Sequence, residues 1–180
     1  MPTDDFTRLV DAYYTPLFRF ALSLARNEAD AGDLTQQTFL IWAKRGQELR
    51  DQTKVKSWLF TTLYREFLRS RRRAERVEAL EDMGGLQDHL AAPEPDALGG
   101  DEVGLALESL QEVDEVFRVP LTLFYLQDFS YREITDILNV PIGTVMSRLA
   151  RGKAQLSALV ARKNARNKPN HPSQTTAARP

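Results

Sequence analysis

The sequence predicts an all-α protein, with two small helical domains joined by an acidic flexible linker and a helix-turn-helix in the second domain. Three observations lead there. Apolar residues recur at helical spacing through most of 5–76 and 105–160. Between 77 and 104 that period dissolves among Met83, Gly84, Gly85, Pro93, Pro95, Gly99 and Gly100, while acids accumulate. Residues 129–153 read as two short helices about a tight turn. A chain of 180 residues has room for two such domains. The expected division is an amino-terminal domain over 1–76, a linker over 77–104, a carboxy-terminal domain over 105–161 and a disordered basic tail over 162–180.

The first helix is expected over 5–26, where Phe6, Leu9, Val10, Tyr13, Leu17, Phe20, Ala21 and Leu24 share one face; Pro16 is expected to bend or divide it. Asp30 is positioned to cap a second helix at about 31–45. Its buried stripe is Leu34, Thr38, Ile41 and Trp42. A second stripe, Asp33, Gln36, Gln37 and Leu40, is polar apart from one leucine. Such a face suits a partner, although single exposed leucines are also ordinary. Residues 46–56 read as a loop, leading to a long basic helix at about 54–76. There Val55, Trp58, Leu59, Leu63 and Phe67 form the apolar face, and Lys54, Lys56, Arg65, Arg69 and Arg71 to Arg73 supply cations. Aromatics interleaved with cations suit base stacking beside phosphate contact, or a helical core.

After the linker, helices are expected at 105–117 and, opened by Pro120, at Leu121 to Gln127. Ser130 and Glu133 stand in capping-box spacing, so a helix should begin at Tyr131 with Ile134, Ile137 and Leu138 inward. Asn139 suits the left-handed residue that ends a helix, and Pro141 prevents immediate resumption. The next helix should begin near Ile142 and pack through Val145, Leu149 and Leu156. Its other face carries Thr144, Ser147, Arg148 and Arg151 at i, i+3, i+4 and i+7. Arginine pairs bidentately with guanine edges in a major groove, Lys153 suits a phosphate, and Gly143 lets backbone approach one closely. An αα-hairpin with a solvated arginine face is the plainer reading of any such pair. Cap, turn and stripe agreeing together favour DNA contact.

Charge is segregated far more than the net of -1 suggests. Residues 44–76 hold 11 basic and 4 acidic side chains, 77–117 hold none and 12, and 118–180 hold 10 and 3. Two surfaces for polyanions thus flank a segment that polyanions repel. The linker is accordingly expected to mimic a nucleic-acid backbone, or to serve as a charged spacer. No cysteine is present, and the two histidines, His89 and His171, lie in polar surroundings. Disulfides, zinc-thiolate sites and thiol nucleophiles are excluded. No metal site, no cofactor and no catalytic residue is expected. An enzyme acting on nucleic acid needs clustered carboxylates or a nucleophile with its base, and no such constellation is found. No apolar run reaches the roughly twenty residues needed to span a bilayer, and the acidic start lacks the positive region of a signal peptide. A cytoplasmic protein without membrane insertion is expected.

Asp30-Ala-Gly-Asp-Leu-Thr-Gln-Gln-Thr-Phe39, followed by Trp42, resembles the D-A-x-D-L-x-Q-[ED]-x-F motif of bacterial RNA polymerase sigma factors of the extracytoplasmic-function (ECF) type. Trp58-Leu-Phe60 resembles the W-L-[FY] opening that family's promoter-melting helix, and Val140-Pro-Ile-Gly-Thr-Val-Met-Ser-Arg-Leu149 resembles V-P-x-G-T-V-K-S-R-L. The resemblance covers about residues 5–160. It implies a factor that binds core RNA polymerase and directs promoter-specific initiation. Asp33, Gln36, Gln37 and Leu40 become the polymerase-docking face. Lys54, Lys56, Arg65, Arg69 and Arg72 fall to the minus-ten element, and Gly143, Thr144, Ser147, Arg148, Arg151 and Lys153 to the minus-thirty-five element. Core polymerase and promoter DNA are the implied partners, with an anti-sigma factor a third that the resemblance allows. Departures occur at Gln37, where the family has an acid, at Met146, where it has lysine, and at Arg65 and Arg69, where it often has asparagine and aspartate. A free-standing helix-turn-helix regulator is the rival reading, but leaves the Asp33 to Trp42 motif and the basic third helix without a role.

Overall fold

A computed structural model describes residues 3–81 and 102–167, and among these residues the secondary structure is entirely helical. Helix α1 spans Thr3–Ala25 and runs through Pro16 without dividing. The missing proline N–H costs one hydrogen bond, which the burial of Leu17, Phe20, Ala21 and Leu24 offsets at roughly 1.5–3 kcal/mol for each large side chain. Helix α2 spans Glu28–Arg45, and its cap is Asn27 rather than Asp30: the Asp30 N–H donates to Asn27 Oδ1 at 2.8 Å. Asn27 has the extended backbone a cap requires, whereas Asp30 already lies in the first turn. The expected loop over 46–56 contains two single 3-10 turns, Gly46–Glu48 and Gln52–Lys54, and Asp51 caps the second by accepting from the Thr53 N–H.

Helix α3 spans Val55–Glu81, five residues beyond its expected end at 76. Helix α4 spans Glu102–Glu112 and stops short of Phe117, because α5, Glu115–Leu121, starts afresh at Asp114 and contains Pro120 instead of following it. A wide π-helical turn, Thr122–Leu126, comes next. Helix α6 spans Tyr131–Leu138 and α7 spans Ile142–Asn167. The end of α7 is longer than expected. Residues 162–167, assigned to the disordered tail, are helical because Arg162 and Lys163 pair with Glu112 and Lys163 also with Glu108 on α4. Residues 82–101 of the expected linker, with His89, and 168–180, with His171, lie outside the described residues.

Helices α1, α2 and α3 form the first bundle, and α4 to α7 the second. The two bundles share one core. Phe60 of α3 lies 5.2 Å from Phe20 of α1 and meets Phe129, just before α6, edge-on at 5.0 Å. At the other end of α1, Arg118 of α5 is 1% exposed and its guanidinium reaches main-chain carbonyls of both bundles. Its Nε donates to Ser23 O at 2.7 Å, and one terminal nitrogen donates to Val113 O at 2.8 Å and Gln111 O at 3.2 Å. Arg26 of the first bundle also donates to Gln111 O, at 2.6 Å. These carbonyls lie at or just beyond the last turns of α1 and α4, where intrahelical donors run out and the dipole favours a cation.

Candidate nucleic-acid interface

The helix-turn-helix is fixed by short-range chemistry. Glu133 N–H donates to Ser130 Oγ at 3.3 Å while Ser130 N–H donates to Glu133 Oε2 at 2.8 Å, a complete capping box. The Ser130 hydroxyl also donates to Glu133 Oε2 at 2.7 Å, and this bond first, with that from the Ser130 N–H, holds the Glu133 carboxyl below the usual glutamate range. Asn139 takes the left-handed conformation, φ 52° and ψ 51°, and Pro141 O accepts from the Thr144 and Val145 N–H groups as α7 begins. Val145 and Leu149 are buried, and Gly152 lets α7 approach α5 so closely that an added Cβ meets Phe117 Cβ at 3.0 Å and Leu121 Cδ1 at 2.8 Å.

Of the six residues expected to meet the upstream element, Gly143, Ser147, Arg151 and Lys153 are exposed on α7. Thr144 and Arg148 are half-buried on its flank. Arg148 stands near enough to Tyr64 of α3 for its charge to oppose the burial that raises the Tyr64 phenol. Met146 and Ala150, absent from the expected stripe, share the most open face with Gly143 and Ser147. Their signal was the helical period itself, read one residue earlier.

In the first bundle, Arg65 and Arg69 line a groove with Trp58 and Thr62 of α3 and with Lys44 and Arg45 of α2. Lys44 and Arg45 were missed as site residues, although the basic block begins at Lys44. Arg69 is held by Glu66 at 2.6 Å, and Arg72 is exposed. Lys54 is exposed at the end of the second 3-10 turn, where its charge and the Thr53 hydrogen bonds, the larger cause, lower the Asp51 carboxyl. Lys56 lies apart from this groove. It donates to Gln127 O and its ammonium stands 4.6 Å over the Phe129 ring, so it joins the two bundles.

Asp33, Gln36, Gln37 and Leu40 are all exposed and line one groove with Leu34 of α2 and Phe67 and Ser70 of α3. Leu40 is 48% exposed, which leaves about half of a large apolar side chain for a partner. Among the described residues no three His, Cys, Asp or Glu side chains gather in a metal-binding group, and no helix is long and apolar enough to cross a membrane.

Comparison with known proteins matches these surfaces to two family models, sigma-70 region 2 over residues 9–77 and sigma-70 region 4 over 104–156. The ECF RNA polymerase sigma factor SigE of Mycolicibacterium smegmatis is 35% identical over 90% of this chain, which spans 63% of that relative's length. The ECF RNA polymerase sigma factor SigM of Bacillus subtilis is 30% identical over 82% of this chain and 90% of its own. Among solved structures, the sigma factor RpoE of Bartonella quintana, in complex with the anti-sigma factor NepR, superposes with a TM-score of 0.72 at 26% identity. That match covers 88% of this chain and 98% of that one.

Proposed function

Because this chain belongs to the ECF sigma factors of the sigma-70 class, we propose that it binds core RNA polymerase, places it on promoter DNA and helps open the duplex, catalysing no covalent step itself. The observation that carries the reading is the pairing of two separate surfaces. An exposed helix-turn-helix face reads DNA, while the Asp33, Gln36, Gln37 and Leu40 stripe leaves a groove of its own to the polymerase. The upstream element falls to Gly143, Thr144, Ser147, Arg148, Arg151 and Lys153. The minus-ten element falls to Arg65 and Arg69, flanked by Lys54 and Arg72 and joined by Lys44 and Arg45; Lys56 reaches it once the bundles part. No cofactor takes part, and the site of action is the cytoplasm. Residues 1–76 and 105–161 act as the two functional units, and the acidic residues between them occupy a basic channel of the polymerase. An anti-sigma factor is a further partner, in line with the Bartonella quintana sigma factor solved in complex with one.

Run-off transcription with core polymerase and a promoter library tests this. A promoter-specific start that appears only when the chain is added is the expected result. Sequence-specific DNA binding without any association with core returns the chain to the class of free-standing regulators.

A further inference from the structure

Helix α7 carries six basic side chains and no acidic one over Ile142–Asn167, so what meets its open face is polyanionic. Yet the centre of that face is not charged. Met146 is 53% exposed between Gly143 and Ala150, and Ile142, one turn before it, is 48% exposed. A large apolar side chain left in water on a helix built for a polyanion gains only if its target offers apolar surface. Phosphate and sugar edges offer little, and of the groups on base edges in the major groove the one methyl is the C5-methyl of thymine.

We propose that Met146 is a specificity-determining residue that reads the C5-methyl of a thymine in the upstream promoter element. The inference rests on the DNA-reading role proposed for α7. The geometry suits it in three ways. Met146 lies in the second turn of α7, and the early residues of such a helix reach base edges. Gly143 and Ala150 beside it have little or no side chain, and an added Cβ at Gly143 meets nothing within 4 Å, so the helix can sit deep in the groove. Arg151 and Lys153 are exposed next to that face to hold the backbone phosphates. An unbranched thioether adapts to a methyl group at a range of angles. Where the resembling motif has a single lysine, this chain thereby presents an apolar reader, with Arg148 and Arg151 on the flank of the same helix.

The test uses holoenzyme assembled from the full chain and core polymerase. Promoters are selected from a pool with a randomised upstream element, and each thymine on either strand is then replaced singly by deoxyuridine, which deletes only the methyl. Wild-type holoenzyme should lose about three- to fourfold in affinity at one or two thymines, the scale of one buried methyl group. Met146→Ala should bind such promoters more weakly and be indifferent to the replacement at those thymines, while Met146→Leu keeps part of the sensitivity. Because Met146 is exposed, its helical circular-dichroism signal should not change in either variant. Sequence preference that survives with no thymine-methyl dependence, or a dependence that Met146→Ala retains, overturns the proposal alone. Absence of any upstream preference in the wild type overturns both the proposal and the reading beneath it.

Discussion

Two glycines of α7 show how one residue type answers to opposite demands. At Gly152 the helix backbone lies against Phe117 and Leu121, so Gly152→Ala should lower the unfolding midpoint of the carboxy-terminal bundle despite alanine's better helix propensity. At Gly143 a methyl group meets open space, so Gly143→Ala should raise stability by about 0.5–1 kcal/mol while weakening DNA binding, where backbone must come close. Thermal unfolding beside promoter binding separates the two, and a Gly143→Ala variant improved in both respects removes that residue from the interface. Arg148 and Lys153 divide along a different line. Arg148→Ala should cost about 1–3 kcal/mol at one upstream base pair and relax preference there, whereas Lys153→Ala should weaken every sequence alike and lower the salt slope by about one. Equal losses on all promoter variants for Arg148→Ala would assign it to phosphate, in keeping with its flank position beside α3.

At the scale of single helices, α6 depends on its first turn. Ser130→Ala should cost about 1 kcal/mol. Glu133 adds a pH dependence, because its folded carboxyl titrates below the ordinary value of 4.5. A depressed folded value means that the stabilisation is present above the unfolded pKa and is lost as pH falls through the folded one. The stability gap between wild type and Glu133→Gln should therefore be full at pH 7 and close below about pH 4.5, read from urea unfolding at each pH. A gap constant over that range would show the carboxylate to be idle. For α2 the prediction concerns assembly. Leu40→Arg should abolish binding to core polymerase in a pull-down with the circular-dichroism spectrum unchanged, since the lost burial, roughly 1.5–3 kcal/mol, is compounded by an unpaired charge. Retained binding would move the docking face elsewhere.

These helices also show what sequence can and cannot disclose. The box at Ser130 and the left-handed Asn139 were legible because their causes lie within four residues of one another. Asn27 was passed over for Asp30, since both are good caps and only the chain's exit from α1 decides between them. The end of α3 at Glu81 and the extension of α7 to Asn167 were not legible, the latter because its partners, Glu108 and Glu112, lie about 50 residues away. Arg65, Arg69 and the α2 stripe could be grouped from periodicity alone. The separate position of Lys56 could not, because its partners Gln127 and Phe129 belong to the other bundle.

For the whole molecule, the packing of one bundle on the other is the feature on which access depends. Lys56 is engaged at that contact and Arg148 is half-buried beside it, so parting of the bundles would free both of these proposed DNA contacts. Arg118→Met keeps length and apolar stem but removes the donors to Ser23, Gln111 and Val113, an expected loss of about 1.5–3 kcal/mol. The radius of gyration from small-angle scattering should increase with helical content unchanged. An unaltered radius would place the hold between the bundles in Phe60, Phe129 and the Arg71–Glu115 pair instead.

The acceptors that Arg118 uses are all main-chain carbonyls, and every amino acid supplies one. Drift at Ser23, Gln111 or Val113 therefore leaves the acceptor where it was, provided the helix ends stay in place, and this contact demands no compensating change. The burden of inheritance falls on a single codon. Lysine cannot reproduce the planar fork that reaches two helix ends at once. Descendants of this chain should thus vary most readily at Gln111, keep small or apolar residues at Ser23 and Val113 because those side chains are buried, and hold arginine at 118 for as long as they keep the bundles together.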